Sequence, residues 1–321
     1  MTGAMNVHVV TRPAPDAGCG LAVTLPRSAS VTEALLALPP ERALDGATAL
    51  AGWLRGELAA LAAELPPGPG LSIDAWRLLS ALRHPEHSSV SADDSFVPSP
   101  RICRRAVGIA AVSRCVRGWS RSPASAVAEV LAAAADDATR QQAPDPNGPP
   151  WWAAWYLQLP SGGRAAVAAE AVTWATQLFS AFEWDRFDRP PVIGGRDDWW
   201  RTAGGRLALQ GRVEVRAQLD GTTAFAVVAH GWSDTYWRTR LGFPALVSLL
   251  ARGERAVPGR VVGIWPASGQ IRVLPVDIPI LRQVADSVLA AAATLVDARL
   301  ESASGAPRPR RGAGGHKPRD T

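Results

Sequence analysis

Residues 207–216 read Leu-Ala-Leu-Gln-Gly-Arg-Val-Glu-Val-Arg, residues 220–221 read Asp-Gly, and residues 225–231 read Phe-Ala-Val-Val-Ala-His-Gly. In the first of these, Leu207, Leu209, Val213 and Val215 alternate with Gln210, Arg212, Glu214 and Arg216, and Arg206 extends the pattern. That is the period of a half-buried strand. Asp-Gly between two such segments is a strong hairpin signal, so residues 224–229 are expected to return as a second strand. A hairpin cannot bury its apolar face alone. Its neighbours supply the cover. Upstream, Val167, Ala171, Trp174, Leu178 and Phe182 fall on one stripe of a helix capped near Ser161, which follows the aromatic cluster Trp151, Trp152, Trp155 and Tyr156. Downstream, residues 241–250 read as a short buried helix, and residues 260–265 and 270–274 as two more strands. A last helix carries Leu281, Val284, Val288, Ala292 and Leu295 on one face, with Asp277 as cap and Pro279 in its first turn. Helix, two or three strands, helix, two strands, helix predicts an α/β (α+β) architecture, a mixed central sheet flanked by helices.

Before this block the pattern is mainly helical. Short strands are expected at residues 6–10 and 21–25. A helix should start from an Asp45 cap and carry Leu50, Leu54, Leu58, Leu61 and Leu65, and a shorter one should span residues 73–82. Residues 101–118 read as an arginine-rich helix with Arg101, Arg104, Arg105, Arg114 and Arg117, followed by another near residues 125–136. Proline-rich breaks fall at residues 66–70, 85–100 and 143–150. The expected organisation is therefore an N-terminal mainly helical region with short strands (1–100), an α/β domain (101–300) and a tail (301–321).

Composition narrows the class. At 321 residues, 47% hydrophobic and 20% charged, the chain is globular rather than disordered or fibrous. No run of about 18 apolar residues and no secretory leader are visible, so no membrane association is expected. Cys19, Cys103 and Cys115 are odd in number and unpaired in spacing, which argues against a disulfide scaffold and for a cytoplasmic home. Of 34 basic residues only Lys317 is a lysine. Chemistry that needs a lysine in the core is thereby in trouble. Most of the net charge of +5 comes from Arg308, Arg310, Arg311, Lys317 and Arg319 in a Pro/Gly-rich tail without apolar periodicity. Such a tail reads as disordered, and it can meet phosphates through counterion release.

The wording of residues 207–231 and the order of elements over residues 101–300 resemble the PD-(D/E)XK nuclease superfamily in its RecB-like branch. In such nucleases a Gly-Arg-(Ile/Val)-Asp segment is followed, across a hairpin, by Val-Val-Asp-x-Lys and then by a helix opening with Gln and Tyr. The resemblance implies Mg²⁺-assisted phosphodiester hydrolysis: two carboxylates hold the metal, and a lysine two residues past the second positions water or stabilises charge. Here Glu214 stands at the first acid. Ala229 replaces the second acid, Gly231 replaces the lysine, and the helix opens Arg240-Leu-Gly-Phe-Pro244. A nuclease-like core with a degenerate site is the expectation, a pseudoenzyme with no catalytic residues and no metal. Its function would be to bind DNA or to dock on a DNA-processing partner such as a helicase. The alternatives are an active Mg-dependent nuclease using Glu214 with Glu170 or Asp220, and a protein-interaction scaffold without nucleic acid.

Each candidate also has a plainer account. Glu214, between Arg212 and Arg216, fits a solvated cross-strand ion pair, and Glu170 fits a surface helix charge. Arg101, Arg104 and Arg105 could follow a phosphate backbone, or simply form the polar side of their helix. His230, Ser233 and Asp234 lack the second glycine of a nucleophile elbow and lie too close in sequence for a triad. His84, His87, Cys103 and Cys115 lack zinc-ligand spacing. Among thirteen tryptophans, Trp199-Trp200-Arg201 and Trp232…Trp237-Arg238 combine aromatics and cations as base-stacking surfaces do, although packing is the commoner use of Trp.

Overall fold

The computed structural model describes residues 30–37, 44–87, 100–140, 152–195, 197–219, 222–228, 235–265 and 270–304. The strands expected at residues 6–10 and 21–25, the Asp220-Gly221 turn, Ala229, His230, Gly231 and the basic tail lie outside these residues. In chain order the helices before the hairpin are α1 (Val31–Leu36), α2 (Ala47–Glu64), α3 (Ala75–Arg83), α4 (Pro100–Val116), α5 (Pro123–Arg140), α6 (Trp152–Gln158) and α7 (Ser161–Ser180). Strand β1 (Leu71–Asp74) precedes α3. After α7 come β2 (Val192–Ile193), β3 (Asp198–Arg201), β4 (Leu207–Gly211), β5 (Val215–Leu219) and β6 (Thr222–Val228). The chain then runs through α8 (Trp237–Arg252), β7 (Arg260–Trp265), β8 (Gln270–Pro275) and α9 (Ile278–Ser304).

The local chemistry explains most of these boundaries. Ser30 and Glu33 close a capping box on α1. Prolines occupy the first positions of α4 and α5, where a missing N–H costs nothing. Asp277 Oδ1 accepts the Ile280 N–H at 2.9 Å and starts α9 as expected. Three expectations fail. The N-cap of α2 is Gly46 at φ 94°, not Asp45. Helix α7 has Pro160 at its N-cap without a side-chain cap, and Trp152, Trp155 and Tyr156 of the aromatic cluster before it lie in the helix α6. Residues 73–74 end β1 rather than start a helix, because Asp74 caps α3 by accepting the Arg77 N–H at 2.9 Å.

Two mixed sheets result. The smaller has the order β1-β4-β3, with β1 parallel and β3 antiparallel to β4. The larger has the order β2-β5-β6-β7-β8. Its centre is the expected hairpin: β5 and β6 are antiparallel, with Leu219 opposite Thr222. The crossover through α8 then makes β6 and β7 parallel, and β8 returns antiparallel to β7. Helices cover both faces. Phe225, Val261 and Trp265 face the core under α2, α3, α8 and α9, whereas Ala224, Ala226, Val262 and Ile264 face α1, α4, α5 and α7. Strands buried on both sides need a central position, and β6 and β7 have it.

The segment 206–216 is not one strand. It leaves the small sheet after Gly211 and enters the large one at Val215, so Leu207, Leu209 and Val213 join one core while Val215 and Ala217 join the other. Gly211 makes the crossing close. A Cβ there would lie 3.0 Å from the Val247 Cβ and 3.2 Å from the Pro244 Cα of α8. The boundary drawn at residue 100 does not separate two cores either, since β1 pairs with β4 and both α2 and α3 pack on α9. Among the described residues α9 is the one helix long and apolar enough to cross a membrane, and its Leu281–Leu295 stripe lies in the core.

Candidate functional site

Residues 212–214, between the two sheets, carry Glu214 to a point where β5, β6 and α4 meet. Its backbone is fixed from both sides, with its N–H donating to Ala226 O at 3.0 Å and its C=O accepting from the Gly194 N–H at 2.8 Å. Its carboxylate is fixed as well. Oε1 accepts from Arg105 Nε at 2.8 Å, and Oε2 accepts from the Val228 N–H at 2.8 Å. The Glu214 side chain is only 5% exposed and that of Arg105 22%. The solvated cross-strand pair expected for Glu214 is therefore corrected. Alternation correctly removed it from the apolar face, but α4 covers the other face.

Arg105 reaches this point because α4 is packed by Cys103, Val107, Ala111 and Val112 against α5 and α7, which turns its polar side toward the hairpin. Burial works against its charge, but the carboxylates of Glu214, Asp197 and Asp74 outweigh that and raise its pKa above the ordinary arginine value. Asp197 accepts from Gln210 Nε2 at 2.8 Å and pairs with Arg212 Nε at 3.4 Å. Burial raises the Asp197 pKa above the usual aspartate value, despite Arg105 and Arg212 nearby. The next residue, Asp198, begins β3 and turns elsewhere. It is held by Ser248 and Arg252 of α8 and by Arg216 Nη1 at 3.3 Å. Asp197 and Asp198 were not singled out by sequence. Two adjacent acids before Trp199-Trp200 were the available signal, and nothing in it told burial from exposure.

The other candidates are dispersed. Glu170, on α7, pairs with Arg104 Nη1 at 2.6 Å near the surface, as its plainer account expected. Glu170 and Glu214 thus each hold a neighbouring arginine of α4, and neither Arg104 nor Arg105 is a free cation on a solvated helix face. Both arginines thus have the carboxylate partners that the polar-side account of their helix allows. Asp220, the Arg101 side chain and the tail cations lie outside the described residues. The Cys103 thiol is pushed up to about 11 by burial, as befits an inert core residue. Among the described residues no three His, Cys, Asp or Glu side chains are grouped to hold a metal ion. The donor set at Glu214 does not fit the Mg²⁺ that the resemblance implies: one oxygen takes a peptide N–H, the other a guanidinium, and the local cation is Arg105. No family model matches this chain, and no curated protein matches it in sequence.

Proposed function

We propose that the protein is a non-catalytic PD-(D/E)XK-like module of the RecB-like kind, cytoplasmic, which binds DNA or docks on a DNA-processing partner such as a helicase. The order of elements supports it: α7, the crossing strands β4 and β5, the hairpin return β6, α8, and then β7 parallel to β6. The single observation that carries it is the Arg105–Glu214 pair. The acid at the first metal-ligand position of the resemblance is buried and bonded to a guanidinium from α4. A positive charge that a divalent ion would bring is supplied by the chain itself. A guanidinium has no open coordination position and cannot lower the pKa of a bound water as a metal does. The Ala229 and Gly231 replacements and the absence of any lysine before Lys317 point the same way.

The test is direct. The purified protein is incubated with linear, nicked and single-stranded DNA in Mg²⁺ and in Mn²⁺, and no cleavage is expected. Cleavage that disappears in Glu214→Ala would overturn the proposal and restore the active, metal-dependent alternative. DNA binding is measured in parallel over a salt series, where truncation after Ser304 should flatten the slope of log affinity against log salt. An absence of binding by the full chain leaves the scaffold alternative.

A further inference from the structure

The start of α8 holds a cationic cluster with no acid in it among the described residues. Trp237 is half-buried on the core under α8 and α9. The guanidinium carbons of Arg238 and Arg272 each lie 4.9 Å from the centre of its ring. Arg238 belongs to the first turn of α8, whereas Arg272 comes from β8 at the sheet edge. Neither forms an ion pair or a side-chain hydrogen bond among the described residues. Arg272 Nε is buried without an acceptor, and so is Gln270 Oε1 without a donor two residues before it on the same strand. Burial and the proximity of Arg238 both act against the charge on Arg272.

The backbone forces this proximity. Arg272 lies opposite Gly263 in the β7–β8 ladder. A side chain at Gly263 has no room, because a Cβ there would be 2.5 Å from the Trp265 ring and 2.8 Å from Leu241 Cδ2. The Trp265 ring and Leu241, one turn after Trp237, therefore form a floor across which Arg272 reaches the indole. Elsewhere Arg105 is paired with Glu214 and Arg216 with Asp198, whereas Arg260, buried in the core without an acid, gives its Nη1 to the Ala34 carbonyl at 3.2 Å. Two like charges on one ring, one of them partly desolvated, lack that compensation.

We propose that Trp237, Arg238 and Arg272 form a binding platform for single-stranded nucleic acid, an inference that rests on the DNA-binding branch of the function proposed above. A guanidinium over an aromatic ring contributes its face to that contact and keeps N–H donors on its edge for a phosphate oxygen. Phosphates supply the missing negative charge, and exposed bases supply flat faces for the outer sides of the guanidinium planes that cover the indole. A duplex hides those faces, so the unpaired strand is the matching partner. Exposed Trp199, with Arg201 5.3 Å from its ring centre, offers a second cation–aromatic pair on the edge strand β3.

The experiment uses the full chain and a fluorescein-labelled 20-nucleotide oligo(dT), with binding followed by anisotropy over a salt series. At low salt, affinity should fall about tenfold for each arginine removed in Arg238→Ala and in Arg238→Ala with Arg272→Ala. The salt slope should fall by about 0.7 for each phosphate that is no longer neutralised. The exposed Arg238 variant tests the platform even if Arg272→Ala fails to fold, and Arg272→Lys should keep the slope while weakening affinity. An unchanged slope in folded variants of a parent that binds DNA overturns this platform alone. Tighter binding to a hairpin duplex of equal length overturns the single-strand assignment. A parent that binds no nucleic acid at low salt overturns both the platform and the DNA-binding reading.

Discussion

Arg105→Ala is the most informative single change, because it removes the one cation hydrogen-bonded to a carboxylate that is only 5% exposed. Glu214 would keep the Val228 N–H as a donor, but its charge would face a cavity where a guanidinium had been. Breaking a buried pair in this one-sided way costs about 3–5 kcal/mol. Arg105 is 22% exposed, so water can enter from that side and the lower end, about 3 kcal/mol, is expected. In a chain of 321 residues that corresponds to a fall in melting temperature of roughly 4–6 °C. The control is Arg105→Met combined with Glu214→Leu, which replaces the pair by apolar groups of similar bulk and should fall within about 1–2 kcal/mol of the parent. Urea titration of the parent, Arg105→Met, Glu214→Leu and the double variant closes a double-mutant cycle. A destabilisation below about 1 kcal/mol in Arg105→Ala is what a solvated surface pair would give, and it would refute the claim that α4 seals Glu214 from water.

Gly108 lies where α4 meets α7, and a Cβ there would come 2.4 Å from Trp174 Cε3. Gly108→Ala should therefore cost about 1–3 kcal/mol by overpacking, and a neutral melt would show that the two helices can separate freely. Gly56→Ala on the exposed side of α2 meets nothing within 4 Å and should instead stabilise by about 0.5–1 kcal/mol. Asp197 tests the electrostatics. Its pKa is raised by burial from the ordinary value of 3.8, so its contribution to stability is full below that value and is lost as pH rises through the folded pKa. Relative to Asp197→Asn, the parent should thus lose stability as pH rises above the ordinary value of 3.8 in a melting series. A parent that gains on the variant over that range would contradict the burial ascribed to this carboxylate.

Local chemistry in the sequence was sufficient for much of the fold. The stripe Val167–Phe182, the alternation before Asp220-Gly221, the paired strands Arg260–Trp265 and Gln270–Pro275 and the Asp277 cap each depend on neighbours within a few residues. A period of 3.6 or 2 fixes which residues share a face, and the structure follows those faces in both cores. What a face meets is a long-range matter. Alternation put Glu214 opposite Val213 and Val215, but α4, more than a hundred residues earlier, turned that polar face into a buried ion pair. A still longer stretch of sequence separates Leu71 from its parallel partner Leu207, so the end of a four-residue strand looked like the beginning of a helix. Gly211 interrupts no pattern, yet its missing side chain lets α8 lie against the crossing and lets one alternating segment serve two sheets. Periodicity is a property of the chain. Desolvation, and with it the character of every charge at Glu214, is a property of what packs against it.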